Sequence, residues 1–123
     1  MPWSVELNTE LDLIESIYSG YVTICEVEAA TLKAFDLASK ERPSRFLTEL
    51  REVELEHSVA DLYFIPKEWQ RMQAMRMSRL ALLVFGCEAM MKDLQFFETT
   101  CHNQGWQVRI FTQRQDAIDW LQR

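Results

Sequence analysis

The chain has 123 residues, 48% apolar and 26% charged, with a net charge of −6 at neutral pH. This is the composition of an ordinary globular protein, long enough for one domain over residues 1–123 with a real core. It argues against a nucleic-acid binder, which carries a basic footprint, and no apolar run approaches the roughly 20 residues of a membrane span.

Three cysteines, Cys25, Cys87 and Cys101, form no pair with metal-ligand spacing, and only His57 and His102 could supplement them. A structural metal and a disulfide framework are therefore not expected. The start, Met1-Pro2-Trp3-Ser4, lacks the basic and apolar stretches of a signal peptide, so a cytoplasmic location is expected. Three glycines, at 20, 86 and 105, are too far apart for a phosphate loop, and no cofactor is expected. The charge is uneven: residues 1–61 hold 5 Lys or Arg against 13 Asp or Glu, and residues 62–123 hold 8 against 6. An acidic face for a basic partner surface and plain solvated faces both fit that asymmetry.

Trp3 to Leu7 and Leu11 to Ile17 partly alternate around Asn8-Thr9-Glu10, which predicts a β-hairpin ending at Ser19-Gly20. Thr23 with Glu26 three residues on is a capping box, and predicts a helix from Ile24 to about Lys40. Its buried stripe is Val27, Ala30, Thr31, Ala34, Leu37 and Ala38, widened by Leu32 and Phe35. Pro43 ends the helix. Arg45 to Leu50 reads as a strand. Arg51 to His57, with Glu52, Glu54 and Glu56 alternating, reads either as its extension or as the loop after it. Ser58 with Asp61 marks another helix start. Pro66 predicts a break, with a second helix from Pro66 to about Ala74.

Leu80 to Phe85 is an unbroken apolar run of strand length, as expected of a strand covered on both faces. Met90, Leu94, Phe97 and Cys101 fall on one stripe of a helix over about Ala89–His102. Asn103-Gln104-Gly105 is its stop. Gln107 to Phe111 is a strand. Thr112 with Gln115 has the form of a second capping box, ahead of a helix that buries Ala117, Ile118, Trp120 and Leu121. The predicted fold is α/β: a mixed sheet, an N-terminal hairpin plus parallel strands, flanked by helices.

This element order resembles the STAS domain, named for sulfate transporters and bacterial anti-anti-sigma factors, and more closely its small stand-alone SpoIIAA-like members. The residues that carry the likeness are Ser19-Gly20-Tyr21-Val22-Thr23, Phe96-Phe97-Glu98-Thr99, Asn103-Gln104-Gly105, Val108-Arg109-Ile110-Phe111 and Asp116-Ala117-Ile118-Asp119-Trp120-Leu121. The resemblance implies a non-enzymatic regulatory or binding domain; acting through protein contacts, alone or as a homodimer, is the first functional expectation. Anti-anti-sigma members are switched by a phosphoserine at the start of the helix after the third strand, and Ser58 is the topological counterpart. The family motif there is Asp-Ser-Ser or Asp-Ser-Gly, whereas this chain has Glu56-His57-Ser58-Val59. Read from the residues alone, Ser58 is a helix cap. Some members of the wider superfamily resemble lipid-exchange domains that hold apolar ligands.

Other candidates stand beside bland readings. Cys87 follows a strand and precedes a helix, where parallel sheets place ligands; it also reads as a plain loop cysteine. Cys101 lies on a buried stripe. Glu52, Glu54 and Glu56 lack a nucleophile or metal partner, and read as a solvated acidic face. Trp69, Met72, Met75 and Met77 form a soft apolar cluster suited to the core, a partner or the mouth of an apolar ligand site. Phe96 and Met91 lie off their helix's main stripe and suit an interface. Two readings remain: a regulatory module whose recognition surface is the helix after the third strand, the loop before it with His57 and Ser58, and the Cys87 loop, and a carrier or sensor of a small apolar ligand held between the sheet and residues 59–74. An enzyme using Cys87 is a third.

Overall fold

The computed structural model describes residues 2–41, 45–57, 59–71 and 79–123. The element order among the described residues is β1 (Trp3–Asn8), β2 (Leu13–Val22), α1 (Ile24–Glu41), β3 (Arg45–Leu55), α2 (Val59–Arg71), β4 (Arg79–Phe85), a 3-10 turn (Glu88–Met90), α3 (Met91–Asn103), β5 (Val108–Phe111) and α4 (Arg114–Gln122). The sheet has five strands in the order β1-β2-β3-β4-β5. Only β1 is antiparallel to its neighbour; every later pair is parallel. The predicted hairpin and parallel unit are both present.

Strand periodicity divides the core in two. Ile14 and Tyr18 of β2, Phe46 of β3 and Leu80, Leu82 and Val84 of β4 belong to one cluster, joined by buried residues of α1, α2 and α3. Leu13, Leu47, Ala81 and Leu83 point the other way and meet Ala117 and Leu121 of α4. β4 is thus apolar on both faces because helices cover both, as its unbroken run implies.

Several local expectations are corrected. Leu11 lies in the hairpin turn rather than in β2: the Asn8 side-chain oxygen accepts from its amide at 3.0 Å, and Asp12 is left-handed at φ 56°. β2 then runs on through Ser19-Gly20, because β3 offers ladder partners as far as Val22. Leu32 is 50% exposed, since α1 turns Ala30, Ala34 and Ala38 toward the sheet and Leu32 lies off that stripe. Pro66 does not break its helix. Leu62, Pro66 and Trp69 share one buried stripe, and continuing that stripe outweighs the loss of one backbone bond. The expected extension to Ala74 lies outside the described residues.

The helix ends follow their chemistry unevenly. Thr23 and Glu26 form the expected reciprocal box: the Thr23 amide donates to Glu26 Oε1 at 3.0 Å, and the Glu26 amide donates to Thr23 Oγ1 at 3.2 Å. α3 closes with Gly105 at φ 91°, its amide donating to His102 O while Trp106 donates to Cys101 O, the paired bonds of a Schellman ending. The Thr112 box is not made. α4 begins later, at Arg114, with Gln113 as an extended N-cap that makes no side-chain capping bond, and Gln115 instead donates to Asp119 Oδ1 at 2.8 Å.

The first residue of α4 also anchors it. Arg114 reaches Glu15 at 2.8 Å and Glu49 at 3.0 Å, and Glu49 in turn takes Arg51 at 2.7 Å. Glu49 is buried, so this shared pairing is what lets a carboxylate sit on the sheet face.

Candidate functional site

The site begins with an irregularity in β3. From Ser19↔Arg51 the register passes to Tyr21↔Glu54, so β3 carries one residue more than β2 over this stretch. The extra residue is Glu52, at φ 49°. A bulge of this kind reverses the alternation. Phe46 and Leu50 face the helices before it; Val53 and Leu55 face them after it. Gly86 at the end of β4 completes the corner: a Cβ there would stand 2.8 Å from the Glu52 side chain.

Above this widened apolar floor lies α2. Its closest backbone neighbour is α3, whereas α1 and α4 approach strands directly. The stand-off leaves a cavity of about 130 Å³ between the sheet and the helices. Its floor includes Leu50, Val53 and Leu82; its roof and walls include Leu62, Trp69 and Phe97. The Trp69 ring is held edge-on to Phe97 at 5.9 Å and to Trp106 at 5.5 Å. The lining is apolar apart from hydroxyls. Thr31 Oγ1 donates to Val27 O at 2.7 Å, and burial pushes the Tyr18 phenol up to about 12.

A second recess of about 90 Å³ opens between α1 and α2. Val27, Thr31, Ile65 and Trp69 line both recess and cavity, so four side chains form the wall between solvent and the interior. Phe64, 55% exposed, stands at the rim. Beside it on α2, Tyr63 is also exposed and carries the Lys67 ammonium 4.8 Å above its ring.

The start of α2 is tethered. His57, in the connection from β3, places Nδ1 2.6 Å from Leu55 O and Nε2 3.0 Å from Asp93 Oδ2 in the first turn of α3. The imidazole therefore links the end of β3, the entry to α2 and α3.

The predicted site residues separate. Trp69 lines the cavity, and His57 forms the tether. Cys87 is buried, its thiol donating to Phe85 O at 3.2 Å and Leu50 O at 3.5 Å. Phe96 is 41% exposed on α3, away from the cavity lining. Ser58, Met72, Met75 and Met77 lie outside the described residues. Cys101 is sealed, and burial, with Glu98 adding, drives its thiol upward. Among the described residues no group of His, Cys, Asp or Glu is placed to hold a metal ion. No described helix is long and apolar enough to cross a membrane.

Sequence reading misses Val53, Leu55 and Phe64 as site residues. The signal for the first two is present: the apolar positions shift from even to odd numbers between Leu50 and Val53, as a one-residue bulge requires.

No protein-family model matches the chain, and no curated protein matches it. In structure it is similar to a protein from Shewanella loihica PV-4, described as an uncharacterized member of the DUF3478 family with a SpoIIAA-like fold. The TM-score is 0.55 at 17% sequence identity, over 97% of this chain and 91% of that one. The fold is SpoIIAA-like: a five-stranded mixed sheet with, among the described residues, four α-helices.

Proposed function

We propose that this chain is a non-enzymatic binding protein, a carrier or sensor of a small apolar molecule held between the sheet and α2. The observation that carries the reading is the cavity of about 130 Å³ roofed by Leu62 and Trp69. A pocket of similar size, lined by aliphatic and aromatic side chains, stays dry and accepts a benzene-sized guest. The ligand, or the part of it that enters, is therefore a ring or an alkyl chain of about six carbons.

The absence of catalysis belongs to the same proposal. Cys87 spends its thiol on backbone carbonyls, and the cavity hydroxyls of Tyr18, Thr31 and Thr48 have no His, Lys or carboxylate beside them in the lining, so the described lining offers no activated nucleophile.

A second reading draws on the fold: a cytoplasmic regulatory module that acts through protein contacts or as a homodimer, in the manner of anti-anti-sigma domains. The observation that favours it is the exposure of Tyr63 and Phe64 side by side on α2, the helix that roofs the cavity. The readings join if ligand occupancy alters the face that α2 offers a partner.

Native mass spectrometry of the purified protein, against its denatured mass, tests the first reading. A small adduct that is lost on denaturation, and is absent from Leu62→Phe, supports it. A bare protein that also fails to take up added hexan-1-ol contradicts it. The same spectra report monomer or dimer.

A further inference from the structure

Resting on the cavity reading, we infer that the guest is neutral and carries one hydroxyl, on a phenol-like ring or a short chain, and that this hydroxyl pairs with Thr48 on the cavity floor. Small-molecule sites are mostly apolar and use a few polar groups to fix orientation. No Lys, Arg, His, Asp or Glu lines this cavity among the described residues. A charged guest would lose its water there and meet no counter-charge. The hydroxyls in the lining are those of Tyr18, Thr31 and Thr48. Thr31 directs its proton to Val27 O at 2.7 Å, and Tyr18 stands against Thr31. Among the described residues the Thr48 side chain makes no hydrogen bond.

Thr48 lies on β3, the middle strand, between Ser16 of β2 and Leu82 of β4. Phe46, one step earlier on the same face, is sealed. Thr48 and Leu50 are only half-buried, although strands flank them on both sides. Both line the cavity, so the void meets the sheet at this hydroxyl. Valine would have the shape of Thr48 and suits a strand equally well. A hydroxyl in apolar surroundings is unfavourable unless it is paired, and a guest hydroxyl supplies the partner. The exchange works in both directions: Thr48 offsets what the guest hydroxyl loses on leaving water. A pocket without such a group prefers a hydrocarbon. A pocket with one penalises the hydrocarbon, whose binding leaves Thr48 unpaired.

The test is phenol against toluene, which differ by a hydroxyl in place of a methyl, titrated calorimetrically at neutral pH. The unaltered protein is expected to bind phenol at least as tightly as toluene, against toluene's greater hydrophobicity. Thr48→Val is expected to weaken phenol by about five- to tenfold and to leave toluene unchanged or tighter. Thr48→Ser keeps the hydroxyl and should keep the preference for phenol. Toluene binding the unaltered protein more tightly than phenol overturns this inference and leaves the cavity reading standing. So does a Thr48→Val variant that binds phenol unchanged, or that weakens both ligands alike. No binding of either ligand to the folded protein overturns both.

Discussion

The two faces of the sheet are built from similar residues and packed to different ends. On the α4 side, Leu13, Leu47, Ala81, Leu83, Ala117 and Leu121 are all fully sealed. On the other side three helices cover the strands, yet about 130 Å³ stays unfilled. The difference lies in how the helices stand. α4 presents Ala117 to the sheet, a side chain small enough for close approach, and Arg114 fixes its first turn to Glu15 and Glu49. α2 leans on α3 instead, and the Glu52 bulge turns Val53 and Leu55 to the floor beneath it. One face is filled; the other keeps an unfilled volume, where the proposed guest would sit.

The sharpest way to break this contrast is to truncate one leucine on each face. Leu47→Ala removes contacts on all sides and should cost about 3–4 kcal/mol in denaturant unfolding. Leu62→Ala widens a void that already exists, and its side chain has fewer partners to lose, so about 2 kcal/mol is expected. Equal losses would mean that the two faces are packed alike.

Alkaline pH probes the open face through Tyr18. Its folded-state value, about 12, lies above the ordinary 10.0 because burial opposes the phenolate. The folded state therefore holds its proton where the unfolded chain releases it. The resulting stability is complete below pH 10 and is lost as pH rises toward 12, about 3 kcal/mol in all. Cys101, raised from 9.0, acts in the same direction and starts the decline earlier. Chemical denaturation at stepped pH should show a plateau through neutrality and a fall above about pH 9. Tyr18→Phe should make that fall shallower; an unchanged profile would remove Tyr18 from the account.

The smallest effects compare two helix starts of opposite faces. Thr23→Ala loses the hydroxyl half of a formed box, the bond from the Glu26 amide, while the backbone amide at position 23 still donates to Glu26, and should cost about 1 kcal/mol. Thr112→Ala touches no capping bond and should stay within about 0.5 kcal/mol. Thermal unfolding of the two variants separates them.

These comparisons also mark what the residues declare by themselves. The apolar run of β4, the capping box of α1 and the glycine stop of α3 are local signals, and each forms where its chemistry points. Thr112 and Gln115 carry the same pattern as Thr23 and Glu26, but Gln115 has Asp119 one turn away and bonds to it instead. Pro66 reads as a break because its missing amide is visible in the sequence, whereas the buried stripe that holds the helix together depends on the sheet beneath. The cavity is the least legible feature. It is set by α2 resting on α3 rather than directly on the sheet and by a bulge between Leu50 and Val53, both products of docking rather than of composition. The His57 tether likewise needs Asp93, 36 residues away, to be brought alongside.

The most direct test of the account is a methyl-labelled NMR titration with hexan-1-ol, following leucine, valine and isoleucine resonances on both faces at once. The account predicts shifts at Val27, Val53, Leu62, Ile65 and Leu82, with Leu13, Leu47, Leu83 and Leu121 unmoved. Shifts spread evenly over both faces, or none at Leu62 and Val53, would contradict it.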